Sequence, residues 1–298
     1  MREFISKFNI GTSNNKSILI IQITFLMVLS LWSMIRGVAP TIEILIALVI
    51  ALLIWRAQYR ALLADLIPFL LLLLSFQALR SFADNLTHAD IHIVDLISYE
   101  KALFGGIIPA YFLQSTILDQ PYAPLIEIPS SLFYMSHFVV PLITAIILWY
   151  RKKETYWPFV IGLVLLSYAG FITYLLYPAA PPWWATKYGY LIDQPVSLTA
   201  FAFPTLVEFA GPNPVAAMPS LHMAWPTFIS LYCIYVWRRK VIWLLCLPLA
   251  VGFSTLILGH HYVVDLLFGI LYGIVFLFII IAWLRIKNQQ SEFLIEKV

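Results

Sequence analysis

The apolar residues of this chain come in long runs, separated by charge and proline, near or beyond the ~20 residues that a helix needs to cross a bilayer. Eight such runs lie at 17–34, 41–55, 61–79, 132–150, 157–177, 218–237, 241–258 and 263–284. No soluble fold hides that much apolar surface. The chain is 62% hydrophobic and 11% charged, where a soluble domain carries roughly a quarter charged residues. In hydrocarbon every backbone N–H and C=O must be satisfied within the chain, and helices do this segment by segment. The expectation is an all-α, polytopic membrane helical bundle of about eight spans, a single integral-membrane domain over residues 1–298. The first run is too long for a cleavable signal and no small-residue cleavage site follows it, so it reads as a span.

Lysine and arginine orient the stack. Arg2, Lys7, Lys16, Arg56, Arg60, Arg151, Lys152, Lys153, Arg238, Arg239, Lys240, Arg285, Lys287 and Lys297 alternate to one side, fourteen of the 18 basic residues. By the positive-inside rule that side is cytoplasmic, and with an even number of spans both termini lie there. Arg36, Arg80, Lys101 and Lys187 fall on the other side, periplasmic, extracellular or lumenal.

Two connections on that second side are long. Residues 81–131 contain the amphipathic piece Ile91-His92-Ile93-Val94-Asp95-Leu96-Ile97, which suits the membrane interface. Residues 178–217 are rich in proline and aromatics, with Trp183 and Trp184 at headgroup depth. Asp84, His88 and His92 recur every four residues, but without a further ligand they read as one wet helix face and not as a metal site. His137, beside Ser136, reads as an interhelical hydrogen-bonding residue. Asn85-Leu86-Thr87 is a glycosylation sequon only in a eukaryotic secretory pathway.

Ionisable groups at the mouth of an apolar run are costly and seldom idle. Two segments carry them: Ala217-Met218-Pro219-Ser220-Leu221-His222, and Gly259-His260-His261-Tyr262-Val263-Val264-Asp265. The path between them runs inward along one helix, turns at Arg238-Arg239-Lys240 and returns along the next, so the two segments emerge on one face. His261 and Asp265 are four apart and share a helix face. A carboxylate that accepts from one imidazole nitrogen leaves the other as a lone pair aimed outward, the nucleophile-plus-orienter arrangement. A second imidazole, His222, suits proton transfer to a departing alkoxide and from an incoming hydroxyl. Pro219 is expected as the first residue of its helix, with Ser220 just inside, so that backbone N–H groups and the Ser220 hydroxyl receive phosphate oxygens. A lone histidine here is more often a packing residue; three co-facial groups of this kind argue for chemistry.

Pro-Ser-Leu-His followed by His-Tyr-x-x-Asp resembles the type 2 phosphatidic acid phosphatase superfamily, and within it the inositol phosphorylceramide synthase branch. The resemblance extends to Tyr177-Pro178-Ala179-Ala180-Pro181-Pro182-Trp183, to Asn213-Pro214-Val215-Ala216-Ala217-Met218-Pro219 and to Ala102-Leu103-Phe104-Gly105-Gly106, and covers about residues 79–273. It implies a helical bundle, His261 as nucleophile, Asp265 as its partner, His222 as acid/base, and no metal or other cofactor. The arginines that hold phosphate in the wider superfamily are missing: Pro181-Pro182-Trp183-Trp184 has no arginine, and neither does the stretch 252–259. Ser220, His260, Arg80 and Lys187 are the substrate-binding candidates that remain.

The expected function is therefore an integral-membrane lipid phosphatase or phosphotransferase working through a phosphohistidine. Its partners are a membrane lipid phosphate, an alcohol acceptor in the case of transfer, and the bilayer; no nucleic acid is expected. A proton-coupled transporter using the same residues as a relay is the rival reading. Against it, the ionisable groups cluster at one face and not at mid-membrane, and paired broken helices are absent.

Overall fold

The computed structural model describes residues 60–81, 89–198 and 215–295. The chain divides into two compact units, Met1–Asp65 and Leu66–Val298. The first two expected spans, Asp84, His88 and the sequon lie outside the described residues, as does the side chain of Arg80.

The described chain is helical: α1 (Arg60–Ser81), α2 (Val94–Leu103), α3 (Pro109–Ile117), α4 (Ala123–Arg151), α5 (Lys153–Leu176), α6 (Pro182–Lys187), α7 (Leu221–Trp237), α8 (Cys246–Ile257) and α9 (Val263–Ile295). A 3-10 turn, Arg238–Leu245, joins α7 to α8. Four helical stretches among the described residues are long and apolar enough to cross a membrane: Ala123–Arg151, Lys153–Leu176, Leu221–Ile257 and Val263–Lys287. Large apolar side chains stand outward on them, among them Leu176, Leu249, Leu267, Leu271 and Phe278. Water would not tolerate such a surface, whereas lipid tails do. The protein is a multi-pass integral membrane protein.

Helix α4 starts earlier than its apolar run, which began at residue 132. Pro124 sits in its first turn, where a missing N–H costs nothing. At 29 residues it measures about 43 Å, longer than the ~30 Å hydrocarbon core. The added turns carry Glu127, Ser130 and Ser131, all buried against protein. Those polar residues hid the helix start from a hydropathy reading.

Helix α7 is the hub. The Tyr232 hydroxyl donates to Thr155 O at the start of α5 (2.7 Å), and the Tyr174 hydroxyl donates to Pro219 O near its end (2.9 Å), so α5 runs antiparallel along α7. The basic turn folds α8 back on α7, tied by Ser230 Oγ to Leu244 O (2.8 Å). Helix α9 lies parallel to α7 at unusually close range. A Cβ on Gly269 would stand 2.4 Å from Ser220 O, and one on Gly273 would stand 2.8 Å from Thr227 Cβ. This Gly-x3-Gly face lets the two backbones approach, as small residues do between membrane helices. The site therefore sits where α4, α7 and α9 begin and α5 and α8 end, opposite the Arg151-Lys152-Lys153 and Arg238-Arg239-Lys240 turns.

Over that end lie α2 and α3. His92, Ala179 and Ala216 join in isolated parallel bridges, which lead the chain into Ala217 and α7. Beneath them Leu96, Ile108, Ala179, Ala217 and Tyr262 form one buried cluster.

Candidate active site

His222 enters from the first turn of α7, and His261 from the turn between α8 and α9. Their nitrogens meet: His222 Nδ1 lies 3.3 Å from His261 Nε2, across 39 residues of sequence. On its other side His261 Nδ1 lies 3.3 Å from Asp265 Oδ2. With Asp265 ionised the carboxylate can only accept, which requires the proton on Nδ1 and leaves the lone pair on Nε2. Tyr262 N donates to the same Asp265 oxygen (2.9 Å), which pins the carboxylate. Asp265 is fully buried and His261 nearly so. The structure thus brings together His222, His261 and Asp265 in the order Asp–His–His.

Gly259 makes the turn possible. Its φ of +78° belongs to the left-handed region, and a Cβ there would meet Ser197 O at 2.2 Å.

Ser220 does not lie inside its helix. The helix begins at Leu221, and Ser220 is the residue before it, extended (φ −68°, ψ 110°), with no side-chain cap bond. Pro219, joined to Met218 by a cis peptide bond, lies two residues before the helix and is not its first residue either. The Ser220 carbonyl instead accepts from Met223 and Ala224, and its N–H donates to Asp265 O (3.1 Å), locking the start of α7 to the first turn of α9. Its hydroxyl is buried and has no hydrogen-bond partner among the described residues.

His260 turns toward α4, its ring 4.4 Å from that of Tyr134 and nearly parallel to it. Tyr134 also stacks on His222, at 4.5 Å. His137, read above as a mere interhelical residue, belongs to the same assembly. It stacks on Trp225 at 4.2 Å and stands 4.5 Å from the His222 ring, while the Ser136 hydroxyl donates to Phe133 O within its own helix. Tyr134 and His137 are three apart on α4, on the face that carries Glu127, Ser130 and Ser131. That polar stripe in a membrane helix was the signal available for finding them. Lys187 ends α6, exposed, with its ammonium 5.6 Å from the Tyr188 ring centre.

Two further residues brace the site and carried no obvious mark. Glu100 of α2, completely buried, accepts from Val263 N (2.8 Å) and Val264 N (3.1 Å), the opening amides of α9. Burial pushes its carboxyl up to about 7; the two amides pull it down and the neighbouring Asp265 charge pushes it up. Gln114 of α3 donates to Ile257 O (3.0 Å) and Ser197 O (2.8 Å) and accepts from Ser197 N (2.9 Å). Glu100 lies three and four residues after Ile97 and Leu96, so helical spacing already put it on their buried face.

A second His–Asp pair stands apart, outside the helix face expected for His92, which precedes α2. His92 Nδ1 lies 2.5 Å from Asp95 Oδ2, and the Tyr177 hydroxyl donates to the same oxygen (3.2 Å). The His92 and Tyr177 rings stack at 3.7 Å. Burial alone would raise the Asp95 carboxyl, but the hydrogen bond and charge of His92 hold it below the usual carboxylate range. Both side chains are a third exposed, beside an open cavity of about 630 Å³.

The described helices form a membrane bundle with a buried Asp–His–His line at one end. Residues 94–284 match the PAP2 superfamily, more than half of the chain, and the protein belongs to that superfamily of lipid phosphatases and phosphotransferases. It is also similar to the phosphoinositol dihydroceramide synthase of Bacteroides thetaiotaomicron, 28% identical over 232 residues that make up 71% of this chain and 74% of the relative. No solved structure matches the chain.

Proposed function

We propose that this protein transfers a phosphorylated headgroup, of the inositol phosphate type, from a membrane lipid to a lipid alcohol through a phosphohistidine at His261. The observation that carries the reading is the line Asp265–His261–His222. His261 Nε2 attacks phosphorus, an N–P bond forms, and the bond to the leaving alkoxide breaks. In-line displacement sends that oxygen away from Nε2, and a phosphorus admitted between the two imidazoles sends it toward His222, whose proton it takes. An acceptor hydroxyl then gives its proton to His222 and attacks phosphorus, and the N–P bond breaks. The two nitrogens touch at rest, so substrate must part them. Tyr134 and His137 pack against the His222 ring and set the direction in which it gives way.

Ser220, with its buried unsatisfied hydroxyl, and His260 supply the phosphate contacts; Arg80 and Lys187 stand as candidates for the outer charge of the headgroup. The chemistry needs no metal or other cofactor. The charge asymmetry of the chain supports a site on the non-cytoplasmic face with both termini opposite, and its eight apolar runs support about eight spans. Similarity to a phosphoinositol dihydroceramide synthase supports transfer over hydrolysis, in which water resolves the same intermediate.

The deciding assay offers purified protein in micelles a phosphatidylinositol donor with and without a dihydroceramide acceptor, in the presence of chelator. Transfer predicts a phosphoinositol sphingolipid and diacylglycerol with no stoichiometric phosphate; phosphate release regardless of acceptor replaces transfer by hydrolysis. Turnover by His261→Gln at the wild-type rate removes the mechanism altogether.

A further inference from the structure

We propose that Glu100 and Gln114 are positioning residues for the nucleophile: α2 and α3 together clamp the turn that carries His261. The inference rests on His261 being the attacking group in the function proposed above.

The turn between α8 and α9 has two ends, and each is held from outside. At the α8 end, Gln114 Nε2 takes the carbonyl of Ile257, the last residue of the helix. At the α9 end, the two Glu100 oxygens take the amides of Val263 and Val264, the first residues of the next helix. Opening amides of a helix have no partner within it and are usually capped by a side chain just before them. Here the preceding residues are His261 and Tyr262, whose rings are engaged elsewhere, and the cap arrives from 163 residues away.

A carboxylate buried to zero exposure costs several kcal/mol to desolvate, and a local polar residue capping the same amides would avoid that cost. What the distant cap adds is a fixed orientation. Rotation of the first turn of α9 about its axis swings Asp265 relative to His261 and His261 relative to His222. Glu100 grips both leading amides and so opposes that rotation. Gln114 extends the clamp sideways: its amide also closes two bonds to Ser197, whose carbonyl roofs Gly259. The residues of the turn therefore sit between two anchors on α2 and α3, and neither anchor touches the reacting nitrogens.

The test compares wild type, Glu100→Gln, Glu100→Ala and Gln114→Met as full-length protein in micelles, with rates normalised to folded protein. Glu100→Gln keeps one acceptor oxygen and is expected to lose about 10-fold in kcat; Glu100→Ala and Gln114→Met lose up to about 100-fold, the scale of a small misplacement of reacting groups, while KM stays within about twofold. The same samples carry 15N-labelled histidine, with the His261 signals assigned through His261→Gln. The clamp predicts that the His261 Nδ1 and Nε2 shifts and titration midpoint move in Glu100→Gln. Wild-type kcat in folded Glu100→Gln, or His261 signals identical to wild type, overturns the inference. Wild type that turns over neither lipid defeats the proposed function instead, and the nitrogen shifts still decide the clamp. If Glu100→Ala does not fold, Glu100→Gln and Gln114→Met carry the result.

Discussion

Among the described residues stand two histidine–aspartate pairs, and only one of them has the surroundings that the proposed reaction needs. His92 and Asp95 stand closer together (2.5 Å) than His261 and Asp265 (3.3 Å), and Tyr177 adds a further bond to the first carboxylate. Pair geometry alone would favour the first dyad. The differences lie around the pairs. The first is a third exposed and beds its imidazole on a tyrosine ring, so the ring face is covered and water reaches the carboxylate. The second is buried, has its carboxylate pinned by the Tyr262 amide, and points its other ring nitrogen at a second imidazole. A His–Asp contact is common chemistry; an oriented lone pair opposite a proton carrier, away from water, is not.

The largest effect should come from the buried pair. His261→Gln leaves no nucleophile, and headgroup turnover should fall by at least about 10⁴-fold, measured against the transfer assay above. If the residual rate exceeds that, the line of three residues is not the reaction centre.

His222→Gln should cost about 10²–10⁴-fold on a lipid substrate, the range for general acid–base catalysis. The loss should shrink on an aryl phosphodiester, whose leaving group departs without a proton. Equal losses on both substrates would assign His222 to binding and not to proton transfer.

Glu100 gives a pH signature opposite in sign to that of Asp95, whose lowered carboxyl loses stability as pH falls. The Glu100 carboxyl is raised from 4.5 to about 7 in the folded protein, so between those values the folded state keeps a proton that the unfolded state has lost. Stability is therefore full below about pH 4.5 and declines as pH rises to about 7, by on the order of 3 kcal/mol. Thermal unfolding in micelles should show wild type losing ground to Glu100→Gln across that window; parallel curves would mean that burial does not hold this carboxyl above its ordinary range.

The smallest effect belongs to His92. As a partly exposed pair it should contribute at most about 1 kcal/mol, and His92→Gln should leave kcat within about twofold. A loss comparable to that of His222→Gln would erase the distinction between the two pairs.

Much of this was legible before folding. Apolar runs located the helices, because a span must satisfy its backbone within itself, and α5 and α9 begin within a few residues of their runs. The basic turns converted 39 residues of sequence into contact between His222 and His261. The pattern Gly269-x3-Gly273, which brings α9 against α7, was equally present in the sequence as a close-packing signal. The beginning of α4 was hidden because Glu127, Ser130 and Ser131 look like a loop until they are seen facing protein. His137 was set aside because a single histidine near a helix start carries no information about which helix it meets.

The sequence by itself determined a membrane bundle, the residues His222, His261 and Asp265, and their common end of that bundle. These follow from periodicity, charge and i to i+4 spacing, which act within a segment or between neighbouring ones. Only the tertiary structure decided which His–Asp pair is buried, that Ser220 ends outside its helix with its amide on Asp265, and that Glu100 and Gln114 hold the turn that carries His261. Those outcomes depend on hydrogen bonds between residues far apart in the chain, and a buried carboxylate selects its partners from whatever amides the packed helices leave unsatisfied.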